Sequence, residues 1–275
     1  MAESMISHAS PGNRHPSLKP DCRLLQDAPA SGAWNMAVDE VLLESAARDG
    51  VMSLRFYRWS EPTLSLGYFQ RYADRQLHPK SHDCRAVRRS SGGGAIVHDQ
   101  ELTYSIAMPA QPCIAGDAMF LYDAAHESLV EALASWGMRA KRCVPRNSDG
   151  CNPNPMRATA RRDEPFLCFE RRACGDVLID RWKVGGSAQR RHKSAFMQHG
   201  SVLLSTSAAT PDLPGVREIT GVTMHENELF GAWYPRLADR LGVRAVPGEL
   251  TPHELAEARS LTVSKHLADA WVQRR

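Results

Sequence analysis

The chain has 275 residues, 43% hydrophobic and 24% charged, with 34 Lys and Arg against 31 Asp and Glu for a formal charge of +3 at pH 7. So small a charge, with the arginines scattered rather than gathered on one helix face, argues against a nucleic-acid partner, and no run of 18 or more apolar residues offers a membrane span. Seven cysteines without CxxC spacing indicate neither a disulfide framework nor a zinc site, so most read as free thiols. The polar stretch Met1–Pro20 lacks the apolar segment of a signal peptide, so the chain reads as cytoplasmic with a disordered leader over residues 1–22.

In chain order, Ser31 to Arg48 has the pattern of a helix. Ser31 can cap it, Trp34, Ala37, Val38, Val41, Leu42 and Ala46 fall near one face, and Gly50 ends it. Asn35, Asp39 and Glu40 read as solvated residues of its outer face. Ser53–Trp59 and Thr63–Gly67 follow as strands separated by Glu61-Pro62, and Leu102–Met108 is a further strand ended by Pro109. Asp117 to Trp136 is a second amphipathic helix with Gly137 past its end. Residues 146–165, rich in Asn, Pro, Arg and Asp, read as a mobile surface loop with the character of a lid. Asp176–Ile179, Trp182–Ser187 and Ala195–Leu204 supply more strands, the first two joined by a tight turn near Asp180-Arg181. Beyond Pro211 come two amphipathic helices, Thr223–Leu241 and Thr251–Trp271, the second opening on a capping box with proline in its first turn.

Two stretches stand out against this frame. Arg88-Arg89-Ser90-Ser91-Gly92-Gly93-Gly94-Ala95-Ile96-Val97-His98-Asp99 sets three glycines between short apolar runs. Consecutive glycines lose much backbone entropy on folding, so they suit positive φ or a backbone lying directly against a ligand, although a plain glycine-rich hairpin turn has the same composition. The other stretch is Lys183-Val184-Gly185-Gly186-Ser187-Ala188-Gln189-Arg190, followed by Gln198-His199-Gly200-Ser201.

In this order and at these separations the two stretches resemble the superfamily of lipoate–protein ligases, octanoyltransferases and biotin ligases. The resemblance covers roughly residues 24–205 and includes Trp34–Glu40 and Pro62–Gln70. Asp99–Ser105 and Cys168-Phe169-Glu170 are most similar to the cysteine-dependent octanoyltransferases that act on a lipoyl carrier protein. The resemblance implies an α/β (α+β) fold, a mixed β-sheet flanked by helices as in the biotin/lipoate protein ligase catalytic domain. It would occupy residues 23–210, with residues 211–275 as a helical extension packed on the same domain.

The resemblance also implies roles. Cys168 matches the nucleophile. Taken alone, a free cysteine more often serves as a small buried hydrophobe, and Cys174 is the rival, with flanks that do not fit the pattern. Thioester exchange needs a thiolate, and Lys183 matches the lysine placed against the acyl carbonyl, where with backbone N–H groups of Gly185 to Ala188 it would form an oxyanion site. Arg89, Ser91, Gly92, Gly93, Gly94, Ala95, Gly186, Ser187 and Ala188 would line the substrate pocket. Arg89 would contact a phosphate, a phosphopantetheine arm or only its own loop, and His98 is either a proton shuttle or a structural histidine.

The implied reaction carries an octanoyl (or lipoyl) group from acyl carrier protein through a Cys168 thioester to a lysine of a lipoyl domain, in glycine cleavage H protein or a 2-oxoacid dehydrogenase E2. It requires no cofactor and no metal. The alternatives are an ATP- and Mg²⁺-dependent lipoate–protein ligase working through lipoyl-adenylate, and a non-catalytic acyl- or carrier-binding protein. The number of subunits is left open.

Overall fold

The computed structural model describes residues 19–110, 119–144 and 164–275. Its strands in chain order are β1 (Asp21–Gln26), β2 (Ser53–Tyr57), β3 (Thr63–Leu66), β4 (Arg85–Arg88), β5 (Ile96–His98), β6 (Glu101–Pro109), β7 (Ala140–Arg142), β8 (Val177–Ile179), β9 (Trp182–His192), β10 (Ala195–Leu203) and β11 (Arg244–Pro247). They form a mixed eight-stranded sheet, β11-β1-β2-β6-β10-β9-β8-β7, and a three-stranded sheet, β4-β3-β5. The spine of the large sheet is the antiparallel pair β6–β10, in register from Glu101↔Leu203 to Pro109↔Ala195.

Strand side chains alternate between faces, so neighbours in sequence feed different cores. Leu24, Phe56, Tyr104 and Ile106 join the larger core, which is shared with helix α2 (Phe120–Ala134), whereas Leu25, Ala107 and Met197 pack on helix α1 (Gly32–Asp49). Helix α1 begins where Ser31 Oγ accepts the Trp34 N–H at 3.4 Å, and it ends at Gly50 with φ of 71°. The tight turn after β8 places Asp180 at φ of 51°, a left-handed conformation that Asp tolerates better than most residues.

The structure departs from the sequence reading in several places. Asp21 and Cys22, read as part of the leader, belong to β1. The extension beyond residue 210 is not purely helical, because β11 pairs parallel to β1 at the sheet edge. After the short α3 (Val216–Thr220), α4 (Glu226–Arg240) lies on α2, where buried Trp233 donates to Ala125 O at 3.2 Å and Ser128 Oγ at 2.9 Å. The expected last helix is divided into α5 (Pro252–Leu261), a π turn (Thr262–His266) and α6 (Asp269–Val272). The strands flanking the glycines do not form a hairpin. Both pair with β3, β4 parallel and β5 antiparallel, so residues 89–95 cross the end of β3 as an open loop.

Asn35, Asp39 and Glu40 are not solvated. Asn35 and Asp39 are buried beneath Arg55 of β2, and Glu40 is ion-paired to Lys265 at 2.6 Å and hydrogen-bonded to His266. Periodicity marks which face of a helix is apolar; it does not reveal that a distant arginine brings its carboxylate partner inside. The 146–165 loop, apart from residues 164 and 165, lies outside the described residues, as do Cys113 and Cys151. Of the other cysteines, Cys22, Cys84, Cys168 and Cys174 are free and Cys143 is disulfide-bonded.

Candidate active site

The glycine loop and the cysteine turn are fastened to each other through backbone. Ala95 N–H donates to Phe166 O at 3.0 Å and Cys168 N–H to Ala95 O at 2.7 Å, a short parallel bridge that seats the 3₁₀ turn Cys168–Glu170 beside Gly94. The approach leaves no room for a side chain: a Cβ on Gly94 would lie 3.0 Å from Cys168 N. Arg89 closes the loop from inside, its Nη1 donating to the carbonyl and hydroxyl of Ser65 and its Nη2 to the carbonyls of Gly92 and Gly94, all at 2.8–2.9 Å. Burial pulls its pKa down to about 10, and its Nε has no partner.

Lys183, on β9, meets the cysteine from the other side. Its Nζ lies 3.2 Å from Cys168 O, 3.7 Å from Cys168 Sγ and 2.8 Å from Asp176 Oδ2. Both Lys183 and Asp176 are buried. Burial by itself would lower the lysine's pKa, but Asp176 and Cys168 overcome it, and the net direction is upward, so the ammonium is held charged. Gly186 makes this arrangement possible, because a Cβ there would collide with Lys183 Cε at 2.6 Å. On its β8 side β9 has no strand partner beyond Gly185.

A cavity with about 470 Å³ of space, counted to its open mouth, lies between these elements and is lined by Met36, Tyr57, Arg89, Gly92, Gly93, Ile96, His98, Thr103, Cys168, Phe169, Gly186, Ser187, Ala188, His199, Gly200 and Ser201. Within it the space open to a water-sized molecule is about 50 Å³, so the cavity is a narrow slot and most of the larger figure is its open mouth. Its polar walls are satisfied from behind. His98 is hydrogen-bonded to Glu101 at 2.6 Å and to Ser65 at 2.7 Å, and Thr103 and Ser201 both donate to Glu101. Tyr57 donates to Asp39, and Ser187 is held by Tyr104 and His126 at 2.7 and 2.6 Å. With those groups occupied, the cavity is faced mainly by carbon.

The sequence-predicted residues therefore converge. Arg89, Gly92, Gly93, His98, Cys168, Gly186, Ser187 and Ala188 reach the cavity, and Lys183 stands behind Cys168. Ser91, Gly94 and Ala95 are one layer back. Ser91 Oγ lies 2.5 Å from His199 Nε2, while His199 Nδ1 faces Asp39 Oδ2 at 3.3 Å. His98 has the environment of a structural histidine: stacked on Trp59 at 3.9 Å, with burial lowering its pKa against the opposing pull of Glu101. Arg89 holds its loop together. Asp176, Tyr57, Met36 and the Asp39–His199 pair were not picked out from sequence, and the one signal available for His199 was its place in the Gln198–Ser201 motif.

Residues 31–213 match the lipoyl protein ligase A/B catalytic domain family, and the chain belongs to it. It is 32% identical to octanoyltransferase LipM of Kyrpidia tusciae over 92% of this chain and 98% of that one, and 29% identical to octanoyltransferase LipM of Geobacillus kaustophilus over 87% and 93%. Among solved structures, a putative lipoate protein ligase from T. acidophilum with bound lipoic acid superposes with a TM-score of 0.73 at 22% identity, covering 93% of this chain and all of that one. A lipoate–protein ligase A bound with ATP gives 0.70 at 22% identity, covering 92% and 98%. The fold is thus the one the resemblance implied. No described helix is long and apolar enough to cross a membrane, and the described residues contain no group of three or more His, Cys, Asp or Glu side chains placed to hold a metal ion.

Proposed function

We propose that the protein is an octanoyltransferase of protein lipoylation, acting through a thioester on Cys168. The observation that carries this reading is the contact of the charged Lys183 with both the sulfur and the backbone of Cys168 at a narrow, carbon-faced cavity. The similarity over nearly the whole chain to proteins named octanoyltransferase supports it.

In the first step the Cys168 thiolate attacks the carbonyl carbon of octanoyl–acyl carrier protein. The carbonyl oxygen becomes an oxyanion facing the Lys183 ammonium and the free edge of β9, and the carrier thiolate leaves and takes up a proton. In the second step the ε-amine of a lipoyl-domain lysine, in glycine cleavage H protein or a dehydrogenase E2, attacks the same carbon. The Cys168 thiolate departs, the amine's proton is released, and an amide remains. Both steps start from a thioester, so neither ATP nor a metal ion enters. The cavity takes the hydrocarbon tail, each buried methylene contributing about 0.8 kcal/mol. The test is loading of the protein from octanoyl–acyl carrier protein in the absence of nucleotide. A protein that acylates a lipoyl domain only with lipoate, ATP and Mg²⁺ would be a ligase.

A further inference from the structure

The outer side of the glycine loop carries charge that the thioester chemistry does not use. Tyr68 and Phe69 follow β3 and overhang the glycine loop: Tyr68 N–H donates to Ser91 O at 2.8 Å, and Phe69 is the nearest side chain to the Cβ position of Gly92, a residue of the cavity wall. Three arginines surround this aromatic pair. Arg274 lies 4.2 Å over the Tyr68 ring, Arg275 lies 5.5 Å over the Phe69 ring, and Arg190 reaches Ser90 O at 3.5 Å. Arg274, with Arg275 and Arg190, holds the Tyr68 pKa below the ordinary tyrosine value against the opposing effect of burial. Among the described residues none of these three arginines has a carboxylate partner, although most charged side chains elsewhere on the surface are paired.

The cluster is built in, not a loose tail. Buried Arg88 donates to Val272 O at 2.8 and 3.0 Å and to the carbonyls of Gly67 and Gln70 at 2.9 and 2.7 Å. Trp271 Nε1 donates back to Arg88 O, and Tyr72 N–H to Arg275 O at 2.7 Å. The same arginine that begins the glycine loop thus fixes residues 271–275 beside the start of that loop. The three arginines outnumber the single α-carboxylate of Arg275 in the cluster, and an anionic partner relieves the remaining repulsion among them. Phe69, 62% exposed in their midst, offers a protein partner an apolar anchor.

We infer that the rim formed by Phe69, Arg190, Arg274 and Arg275 docks the acidic face of the carrier protein that delivers the acyl thioester. This rests on the octanoyltransferase reading. The position suits the task, because a carrier seated there would hand its acyl group past Gly92 to Cys168, and rim charges act chiefly on encounter and on its salt dependence.

The test compares two donors in the Cys168-loading step: octanoyl–acyl carrier protein, and octanoyl-N-acetylcysteamine, which has the thioester without the protein. In the triple variant Arg190→Gln, Arg274→Gln, Arg275→Gln, KM for the carrier donor should rise roughly tenfold and lose its dependence on NaCl, with little change for the small donor. The conservative variant Arg274→Lys, Arg275→Lys should keep most of the salt dependence. Equal loss with both donors, loss with neither, or a defect confined to the later transfer onto a lipoyl domain would each overturn the assignment. So would binding of a single-stranded oligonucleotide through the rim with the carrier KM unmoved. If the unaltered protein is loaded by neither donor, the octanoyltransferase reading itself fails and takes the docking assignment with it; every other adverse result leaves that reading standing.

Discussion

Lys183 touches Cys168 at two atoms, its Nζ 3.2 Å from the carbonyl oxygen and 3.7 Å from Sγ, while Asp176 holds it from behind at 2.8 Å. The lysine's raised pKa depends on that carboxylate, because burial, the largest single influence on it, acts in the opposite direction. The charge is therefore fully present below the ordinary lysine value of 10.5 and is lost only as pH rises through the higher folded value. In Asp176→Asn the opposing pull is removed, the lysine's pKa falls, and the rate of Cys168 acylation should begin to decline at a lower pH than in the unaltered protein. Lys183→Ala should slow acylation about a hundredfold at all pH values, the usual loss for one oxyanion donor. Identical pH–rate profiles for Asp176→Asn and the unaltered protein would refute the role given to Asp176.

Behind the cavity, Asp39 accepts from Arg55 at 2.8 Å, Tyr57 at 2.9 Å and Ser105 at 2.8 Å. Burial works against its charge, yet His199, Arg55 and Ser105 hold its pKa below the ordinary value. Asp39→Asn leaves Arg55 buried with only Asp27 as counter-charge, and breaking such a buried pair costs about 3 kcal/mol. Thermal unfolding should show a Tm several degrees lower; an unchanged Tm would mean the pair is not stabilising.

Two carboxylates hold the segment beyond residue 250 against α1. Glu254 accepts from Arg23 at 2.7 Å and from Ser45 at 2.7 Å, and Glu40 accepts from Lys265 at 2.6 Å. In both, burial is outweighed by these partners and the pKa falls to about 2. Their contribution is complete above the ordinary value of 4.5 and is lost as pH drops toward 2. Protection factors of amides in 252–272, which allow for the intrinsic slowing of exchange in acid, should fall across that window, ahead of those of the β6–β10 amides. Glu254→Gln should lower those protection factors at neutral pH, and unchanged values would show that Glu254 does not hold the segment.

The cavity's carbon-faced wall predicts a chain-length dependence. Shortening the donor from octanoyl to hexanoyl removes two methylenes, about 1.6 kcal/mol or roughly 15-fold in kcat/KM for Cys168 loading. Equal rates with acetyl and octanoyl donors would show that the cavity does not hold the tail.

Local signals read well in the sequence. The Ser31 cap and Gly50 end of α1 are set within a turn of the chain, and the alternation of Leu102, Tyr104, Ile106 and Met108 announces β6. The convergence of Gly94, Cys168 and Lys183 came from motif resemblance, not from periodicity, because the contact of Lys183 with Cys168 spans 15 residues and the bridge from the glycine loop to the cysteine turn spans more than seventy. What stayed hidden was polar and long-range. Asp39 has the spacing of a solvated residue and becomes a core carboxylate only because Arg55 crosses beneath α1. The short strand β1 and the edge strand β11 carry too few apolar residues to show an alternation, and their pairing is visible only once the sheet exists. The arginine rim was equally illegible, since Arg88 joins residues almost two hundred positions apart.

The central claim is that Cys168 carries the acyl group as a thioester, and intact-mass measurement tests it most directly. Incubated with octanoyl–acyl carrier protein and no nucleotide, the unaltered protein should gain the mass of one octanoyl group, and hydroxylamine should remove it. Cys174→Ser should load nearly as well, whereas Cys168→Ser should neither gain a hydroxylamine-sensitive adduct nor pass octanoyl to a lipoyl domain. A Cys168→Ser protein that still modifies a lipoyl domain when supplied with lipoate, ATP and Mg²⁺ would contradict the account and assign the chain to the ligases.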